Sequence, residues 1–396
     1  MALWSDERGV MKIALVTSTL YGQGAEFVVA ALARGLFQHG HAVEIWVCKI
    51  HEDMQRQHPE LRPFDIPSEV TVRVMPSRRA RYNIMFMRER IRHGGYGCVM
   101  CHASNYAVPL ALAGCGLTAD TKLVNVVHSG GVGTTEDGDL IGPTWSFRSW
   151  LTKMIIKNYD AQFSVSSGTT EAIHRMTGYP LSKLRTVYNP VLDENFKVKA
   201  GKTPQHRWLK DPQVPTFVAA GAFCRVKNYE MLLEAFARVH SAQQCRLVIF
   251  GKGPLEAGYR ALAEKLGISA DVDFPGFTNQ LPAEMKNAAA VLVSSYQESF
   301  SVVLVEALAV GTPVVATDCP YGPREILEGG KHGLLVKNHD VEDMVEGLRQ
   351  VLANRVPRPD PACVSRFTVD AVVARYEDAL QTIMRKNSSN FYRIQA

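Results

Sequence analysis

The sequence predicts an α/β protein made of two doubly wound, Rossmann-like domains that face each other across a cleft. The chain has 396 residues, which is long for a single hydrophobic core. Short apolar runs alternate with amphipathic stretches along most of the chain, a pattern typical of parallel sheets covered by helices. Near the middle, a polar, proline-bearing stretch without a steady period interrupts this alternation at residues 189–214.

Each half of the chain supplies enough apolar runs for one parallel sheet. In the first half the runs are residues 12–20, 42–48, 70–75, 98–103, 122–129 and 162–167. In the second half they are residues 216–223, 245–251, 271–277, 289–295, 312–318 and 333–337. We predict an N-terminal domain, a linker, a C-terminal domain and a last helix that packs back toward the first domain, over residues 11–190, 191–214, 215–367 and 368–386. Open parallel sheets bind ligands at the carboxyl ends of their strands, so the cleft is the expected site.

Composition excludes several broad classes of function. Hydrophobic residues make up 46% and charged residues 21% of the chain, which is the balance of a soluble globular protein. The net charge of +5 mildly favours anionic partners and is too small to indicate nucleic-acid binding. No apolar run approaches the length of about 18 residues that a spanning helix needs. Residues 1–10 lack the order of a signal peptide, so we expect a cytoplasmic location.

Eight cysteines are scattered along the chain. One cluster, CVMCH at residues 98–102, has the spacing of a c-type haem attachment site. Such attachment requires export, which residues 1–10 do not indicate, and the same stretch fits a buried strand. We therefore expect reduced cysteines in the core; a redox or metal-binding pair is the alternative.

Two glutamates frame an apolar stretch in the second half, ESFSVVLVEALAVGTPVVATD, at residues 298–318. The pattern predicts a strand, a loop that holds Glu298, and a helix that holds Glu306 about two turns from its start. Free N–H groups at a helix start favour a phosphate. Glu298 would then accept hydrogen bonds from a sugar and Glu306 from a ribose diol, which is the order of parts in a nucleotide sugar. The alternative is one acid that stabilises the helix start and one structural glutamate.

Together with YQESF, EALAVGTPVVATD and YGPREIL…GLLV in the same order, this stretch resembles the E-x7-E signature of retaining glycosyltransferases of the GT-B fold, family 4 (glycosyl transferases group 1). The resemblance extends over most of residues 11–380 and is strongest over 216–340. It implies an enzyme that moves a hexose or N-acetylhexosamine from a nucleoside diphosphate sugar to a saccharide acceptor, without cofactor or metal. UDP is the predicted nucleotide, and GDP-mannose is the alternative donor.

The resemblance implies catalytic roles for Glu298, His128, Lys227 and Arg225. Lys227, in GAFCRVKN, takes the position of the family's phosphate-binding lysine. The arginine that usually follows the glycine is replaced by Ala222, so Arg225 is expected to supply the second positive charge. His128 is expected beside the donor sugar. A solvated helix start is the alternative for Arg225 and Lys227, and a structural histidine is the alternative for His128.

Donor-binding roles come from loops that resemble family motifs, among them YGQGAE, GKGPLE and DFPGF. The residues predicted to line the donor are Gly22, Gly24, Gly221, Gly251, Gly253, Phe277, Ser299, Phe300, Ser301 and Glu306. An aromatic of the core or rim is an equal alternative for Phe277. The motifs DGD at residues 137–139 and DVD at residues 271–273 do not follow an apolar strand as a metal-binding D-x-D would, so no metal site is predicted.

Retention of anomeric configuration proceeds either by a double displacement through a carboxylate or by front-face attack. The family places the residue that matches Glu298 among sugar hydroxyls. We therefore predict front-face attack, in which the leaving phosphate takes the proton of the acceptor. Positive groups near the phosphates stabilise the charge that develops there.

Two segments of the first half are basic and amphipathic, residues 77–93 and 145–157. Basic faces beside aromatic and aliphatic ones suit an anionic membrane surface. We therefore predict peripheral attachment to the inner face of the cytoplasmic membrane and a lipid-linked or lipopolysaccharide-type acceptor. The alternative is that the apolar residues belong to the core and the arginines form a solvated face.

Other functions remain open from the sequence. A nucleotide-sugar epimerase shares this architecture and would release its sugar without an acceptor. A non-catalytic binder of sugar nucleotides is also compatible with the departure at Ala222. A nicotinamide oxidoreductase would need a complete glycine fingerprint, which the sequence lacks.

Overall fold

The computed structural model describes residues 10–20, 24–48, 66–117, 120–128, 133–134, 140–141, 157–210 and 213–391. Within them the predicted fold class is confirmed, because two parallel sheets of seven and six strands are each flanked by helices. Three parts of the sequence predictions lie outside the described residues: Gly22, residues 137–139 and residues 145–156 of the second basic segment.

The N-terminal sheet is doubly wound. The strands of this half are β1 (Lys12–Val16), β2 (Ala42–Val47), β3 (Thr71–Val74), β4 (Cys98–Cys101), β5 (Lys122–Val127), β6 (Gly133–Thr134), β7 (Leu140–Ile141), β8 (Ala161–Ser164) and β9 (Leu184–Thr186). The sheet order is β3-β2-β1-β4-β5-β8-β9, and β6 and β7 form a separate antiparallel pair. The winding reverses between β1 and β4, and ligands of such sheets bind at this switch point. The sequence prediction lacks β9, because three residues show no alternating pattern.

Helices cover the sheet: α1 (Ala25–Gln38), α2 (Ile84–His93), α3 (Ser104–Gly114) and α4 (Ser167–Thr177). The ends of α4 follow from local chemistry. The Ser166 hydroxyl accepts a hydrogen bond from the backbone N–H of Thr169 at 3.2 Å, and Gly178 ends the helix at φ 66°. Because α4 follows β8 directly, its first turn lies at the carboxyl edge of the sheet.

The C-terminal sheet repeats this plan. Its strands are β10 (Thr216–Ala220), β11 (Arg246–Phe250), β12 (Val272–Gly276), β13 (Ala290–Val293), β14 (Val314–Thr317) and β15 (Leu334–Val336). They are parallel in the order β12-β11-β10-β13-β14-β15, so the switch point lies between β10 and β13. Buried apolar clusters lie on the two faces of this sheet.

The remaining helices are α5 (Glu194–Ala200), α6 (Arg207–Lys210), α7 (Tyr229–His240), α8 (Glu256–Lys265), α9 (Leu281–Lys286), α10 (Val302–Ala309), α11 (Gly322–Ile326), α12 (Val341–Leu352) and α13 (Val369–Phe391). Short 3-10 helices occur at Ala80–Asn83, Leu181–Lys183, Arg225–Lys227, Glu328–Gly330 and Pro361–Phe367. None of the helices in the described part of the chain is both long and apolar enough to span a bilayer.

The segment predicted as an irregular linker contains α5 and α6. Trp208 and Leu209 of α6 are buried in a core cluster of the C-terminal domain. The Glu284 carboxylate of α9 accepts hydrogen bonds from the backbone N–H groups of Gln205 and His206, at 2.8 and 3.3 Å. These contacts show that the second part of the segment belongs to the C-terminal core. Both helices are too short to give a helical period in the sequence, which is why the segment is predicted as irregular.

The chain passes between the domains twice, and the two passages lie side by side. The backbone N–H of Val191 donates to the Phe367 carbonyl, and that of Val369 donates to the Leu192 carbonyl, both at 3.0 Å. Beyond the second passage, α13 packs on α1 in the N-terminal domain. The C-terminal helix therefore completes the core of the domain at the other end of the chain.

Cys98 and Cys101 are both buried, but they belong to clusters on opposite faces of the N-terminal sheet. Alternation along a strand explains this, because residues three apart point to opposite sides. Burial raises the pKa of the Cys101 thiol to about 12 and raises that of Cys98 as well. The two thiols are core residues, and neither a disulfide nor a shared ligand can join them here.

The close approach of α1 and α13 gives a stability prediction. A Cβ on Gly35 would lie 2.5 Å from Cγ1 of Val369 and 2.6 Å from Cγ2 of Val373. Gly35→Ala should therefore destabilise the protein by about 1–3 kcal/mol in urea unfolding. The matched control is Gly258→Ala inside α8, where the added carbon meets open space and should stabilise by up to about 1 kcal/mol. Equal effects of the two substitutions would contradict the described packing.

Candidate active site

A lysine–glutamate ion pair lies at the switch point of the C-terminal sheet. Lys227 stands in the 3-10 helix after β10, and Glu298 stands in the loop after β13. The Lys227 Nζ donates to Glu298 Oε1 at 2.6 Å, and the Ser295 hydroxyl donates to the same oxygen at 2.8 Å. The two charged side chains are only 23% and 13% exposed. Burial opposes the charge on Lys227, but the carboxylate outweighs this effect, so the pKa of Lys227 is raised and the amine stays protonated.

The main chain of Glu298 is fixed by the loop after β14. Its N–H donates to the Pro320 carbonyl at 2.8 Å. Its carbonyl accepts from the N–H groups of Tyr321 and Gly322, at 2.8 and 2.7 Å. A Cβ on Gly322 would lie 2.7 Å from the Cα of Phe300, so this close approach requires glycine. Three loops therefore hold one carboxylate in place.

Glu306 lies in the second turn of α10, about one turn nearer to the helix start than predicted. It is half-buried, and no ion pair or hydrogen bond joins its carboxyl to another described residue. Burial raises the pKa of Glu306 to about 7; the charge of Lys199 acts against this rise, and that of Asp193 adds to it. A carboxyl in this state is available to a ligand with hydroxyl groups.

A small cavity borders the ion pair, with a volume of about 10 Å³. Its lining includes Lys227, Glu298, Ser301 and Tyr229. The hydroxyl of Tyr229 is buried without a hydrogen-bond partner in the described part of the chain. The space is about large enough for one water molecule and too small for a phosphate group.

The predicted donor-binding glycines of this domain have an intramolecular reason to be glycine. A Cβ on Gly251 would overlap the carbonyl oxygen of Gly221, and a Cβ on Gly253 would lie 2.5 Å from the carbonyl oxygen of Phe223. The loops after β10 and β11 therefore pack directly on each other. In the N-terminal domain, Gly24 precedes α1 at φ 84°.

Lys227 and Arg225 belong to the same short helix but have different surroundings. Arg225 is exposed, and its charge acts on the hydroxyls of Tyr259 and Tyr296, whose pKa values burial raises. Lys227 instead contacts Glu298. The two cations therefore do not form one clamp in this structure, and the predicted substitution of Arg225 for the family's arginine stays a prediction.

The aromatic candidates separate into core and rim. Phe277 is 38% exposed beyond β12, whereas Phe274 is buried in the core. Phe300 is predicted to bind the donor, but its ring is buried and packs against Tyr188 and Phe367, with centroids 6.1 and 5.3 Å away. The Phe300 side chain is therefore part of an aromatic core cluster. Only the backbone of this residue is left for the predicted contact with the donor.

A carboxylate that the sequence analysis did not assign connects the two domains beside this site. Glu325 of α11 accepts hydrogen bonds from the backbone N–H and hydroxyl of Ser167, at 2.8 and 2.7 Å, and from the hydroxyl of Tyr188 at 2.7 Å. It thus occupies the positive end of α4 in the N-terminal domain. The only sequence signal was the acid in YGPREIL, because no local pattern reveals a partner 158 residues away.

In the N-terminal domain, His128 directly follows β5 and His102 directly follows the neighbouring β4. Their ring nitrogens Nε2 and Nδ1 lie 3.1 Å apart. Burial lowers the pKa of His128 to about 4 and lowers that of His102 as well. His102 is absent from the predicted site residues, because its place after a cysteine pair favoured a structural interpretation.

The carboxylates of the DVD motif contact other side chains of the protein. Asp271 lies 3.4 Å from His240 and 3.6 Å from Arg246, and Asp273 lies 3.0 Å from His206. Both carboxylates therefore have structural partners. In the described ranges, no group of three or more His, Cys, Asp or Glu side chains is arranged to hold a metal ion.

Comparisons with known proteins agree with this geometry. Residues 22–194 match the family model Glycosyltransferase Family 4, and residues 203–362 match the family model Glycosyl transferases group 1. The chain carries glycosyltransferase domains of family 4 and group 1. The ion pair, Glu306 and Glu325 all lie within the group 1 domain, and His128 lies within the family 4 domain.

Two relatives of these glycosyltransferase domains are named sugar transferases of bacteria. One is the N-acetylgalactosamine-N,N'-diacetylbacillosaminyl-diphospho-undecaprenol 4-alpha-N-acetylgalactosaminyltransferase of Campylobacter jejuni, 30% identical over 52% of this chain and 56% of the relative. Another is the lipopolysaccharide 1,6-galactosyltransferase of Salmonella typhimurium, 27% identical over 57% of this chain and 63% of the relative. The chain thus spans less than two thirds of the length of either relative.

Among solved structures, Anabaena HepE in complex with UDP-glucose is similar with a TM-score of 0.68 at 17% identity, over 96% of this chain and 99% of that one. At this identity the similarity concerns the fold. Together with the two sheets, it confirms the predicted GT-B fold of the glycosyltransferase domains.

Proposed function

We propose that the chain is a retaining, metal-independent glycosyltransferase that moves a hexose or N-acetylhexosamine from a UDP-sugar to a saccharide acceptor. The observation that carries this proposal is the Lys227–Glu298 pair, which stands at the switch point directly before the start of α10. This arrangement places a cation, a carboxylate and free helix N–H groups within one loop cluster. A sugar diphosphate is a ligand that needs all three.

In the proposed complex, the diphosphate lies at the start of α10 and receives the Lys227 ammonium. Glu298 then turns its free acceptor capacity to hydroxyls of the transferred sugar, and Glu306 accepts from the ribose diol. Without donor, Glu298 keeps Lys227 charged and in place. The donor therefore exchanges with an existing ion pair, which limits the electrostatic cost of filling the site. Backbone of the glycine loops, Ser299 and Ser301, and the ring of Phe277 complete the proposed donor site.

The reaction breaks the bond between the anomeric carbon and a phosphate oxygen. Negative charge grows on the diphosphate, and Lys227, Arg225 and the N–H groups of α10 stabilise it. The acceptor hydroxyl attacks on the same face, and its proton goes to the departing phosphate oxygen. Glu298 is a poor nucleophile for the alternative double displacement, because in the proposed complex its carboxylate accepts from Ser295 and from hydroxyls of the transferred sugar. With these cations in place the proposal requires no metal.

We propose a lipid-linked or lipopolysaccharide-type acceptor, as the names of the two relatives suggest. The first basic segment supports contact with an anionic membrane only in part. Met87 and Ile91 are buried in the core, whereas Tyr82 and Met85 are 59% and 73% exposed. Exposed arginines stand on the same segment, at Arg79 and Arg81. Exposed Tyr82 and Met85 beside exposed arginines suit the surface of an anionic membrane.

The ion pair can be tested by a double-mutant cycle. Lys227→Met and Glu298→Gln should each lower kcat about 100-fold or more. The double variant should lose less than the two single losses combined, because each single substitution also leaves the remaining charge without its partner. Calorimetry that compares the binding of UDP- and GDP-sugars identifies the donor. The kcat of each variant is then measured as transfer from this donor to a glycan acceptor.

The exposed pair of Glu194 and Lys197 supplies matched control substitutions to Gln and Met, which should leave kcat unchanged. Near-normal turnover of Glu298→Gln would refute the proposed contact. A covalent glycosyl adduct on Glu298 would refute front-face attack. NMR of the donor alone separates transfer from epimerisation, since an epimerase converts the donor without an acceptor.

Glu306 predicts a pH dependence of nucleotide binding. Its carboxyl must be ionised to accept from both ribose hydroxyls, and its pKa in the free protein is raised to about 7. UDP should therefore bind more tightly as pH rises from 6 to 8, by up to about tenfold. The 2′,3′-dideoxy analogue has the same phosphates and serves as the matched ligand. Equal pH profiles for the two ligands, or an unchanged profile in Glu306→Gln, would contradict the role.

Membrane attachment predicts a charge-specific effect. Arg79→Glu with Arg81→Glu should weaken binding to vesicles that contain phosphatidylglycerol, by roughly tenfold or more. Reversal of two exposed lysines outside the N-terminal domain, Lys197→Glu with Lys331→Glu, is the control and should have a smaller effect. Flotation measures both. Absence of wild-type binding to anionic vesicles would refute the attachment.

A further inference from the structure

Two histidines of the N-terminal domain share one hydrogen bond at the ends of adjacent strands. His102 is 3% exposed, and its Nδ1 lies 3.1 Å from Nε2 of His128. The ring planes are tilted by 32°, with centroids 5.3 Å apart. A bond between two imidazoles needs one N–H donor and one lone-pair acceptor, so the position of one proton decides the state of both rings.

Both rings are neutral near pH 7, since burial lowers the pKa of each. A neutral imidazole carries a single N–H. Either His102 donates from Nδ1, and His128 then carries its proton on Nδ1, or His128 donates from Nε2, and His102 then carries its proton on Nε2. These two arrangements leave different groups unsatisfied.

The other nitrogen of His102 decides between them. Its Nε2 is buried and has no hydrogen-bond partner in the part of the chain that the structure describes. If His102 accepted the bond, this nitrogen would be a buried N–H without an acceptor. If His102 donates, the same nitrogen is a lone pair without a donor. Orphaned buried N–H groups are rarer in proteins than under-satisfied acceptors. The arrangement in which His102 donates from Nδ1 is therefore favoured.

We propose that His102 is a positioning residue that holds His128 in the Nδ1–H tautomer, so that His128 offers a ligand a hydrogen-bond donor and not a base. The nitrogen left for a ligand is Nδ1, because Nε2 accepts from His102. The part that concerns a ligand rests on the proposed function: the partner of this N–H is an oxygen of the sugar nucleotide. His128 then has no free lone pair with which to remove the proton of the acceptor.

Histidine-selective ¹⁵N NMR of the full chain tests the tautomer without any substrate. The wild-type spectrum should show both rings protonated on Nδ1, and His128→Gln assigns the signals. His102→Asn keeps an N–H donor near the position of Nδ1 and should keep the tautomer of His128. His102→Leu removes the donor and should let the proton of His128 redistribute. Protonation of His128 on Nε2 in the wild type would overturn the proposal.

Kinetics test the consequence for the ligand. His102→Leu should lower kcat at least about tenfold, and His102→Asn should restore most of it, at unchanged unfolding temperature. A loss of kcat that His102→Asn does not restore, or no loss in His102→Leu, would overturn the positioning role. If no glycosyl transfer occurs with any donor, the proposed function fails, whereas the NMR result on the two rings still stands or falls by itself.

Discussion

The ion pair between Lys227 and Glu298 is the interaction on which the candidate site depends. It joins the loops after β10 and β13, the two strands at which the winding of the C-terminal sheet reverses. Neither charge is well solvated, so removal of one partner would leave the other buried and uncompensated. In the proposed complex, a phosphate replaces the carboxylate without that cost, because it brings its own negative charge to the ammonium. The proposed role of the pair is therefore to prepare the site for an anion.

The contacts between the domains touch the same loops. Glu325 occupies the start of α4, and the Thr169 hydroxyl lies 3.5 Å from the carbonyl of Ser299, one residue after Glu298. The ring of Phe300 packs between Tyr188 and Phe367, where the chain crosses between domains. A change in the domain arrangement would therefore alter the contacts of residues 298–301 directly. If the donor binds as proposed, these contacts would couple donor binding to domain orientation through adjacent backbone and not through a distant relay.

Local patterns in the sequence predict the fold of this structure. Buried parallel strands are continuous apolar runs, and contiguous motifs place Glu298 and Lys227 in the loops where the structure has them. The sequence gives no signal where the partner is distant or the element is short. The Glu325–Ser167 contact and the His102–His128 pair join residues that only the tertiary fold brings together. The helices of the predicted linker are too short for a period, and no pattern in the sequence indicates that the Phe300 ring faces the core.

Taken together, the hydrogen bonds of the two domains restrict where the proton of an acceptor can go in the proposed reaction. In the proposed complex the Glu298 carboxylate accepts from Ser295 and from hydroxyls of the transferred sugar, and the Nε2 of His128 faces His102. Both are the kinds of side chain that serve as a general base, yet each has its basic atoms engaged, Glu298 by Ser295 and the sugar and His128 by His102. The departing phosphate gains negative charge as the glycosidic bond breaks, so its basicity rises when a base is needed. Occupied protein bases and a leaving group of growing basicity both favour same-face transfer.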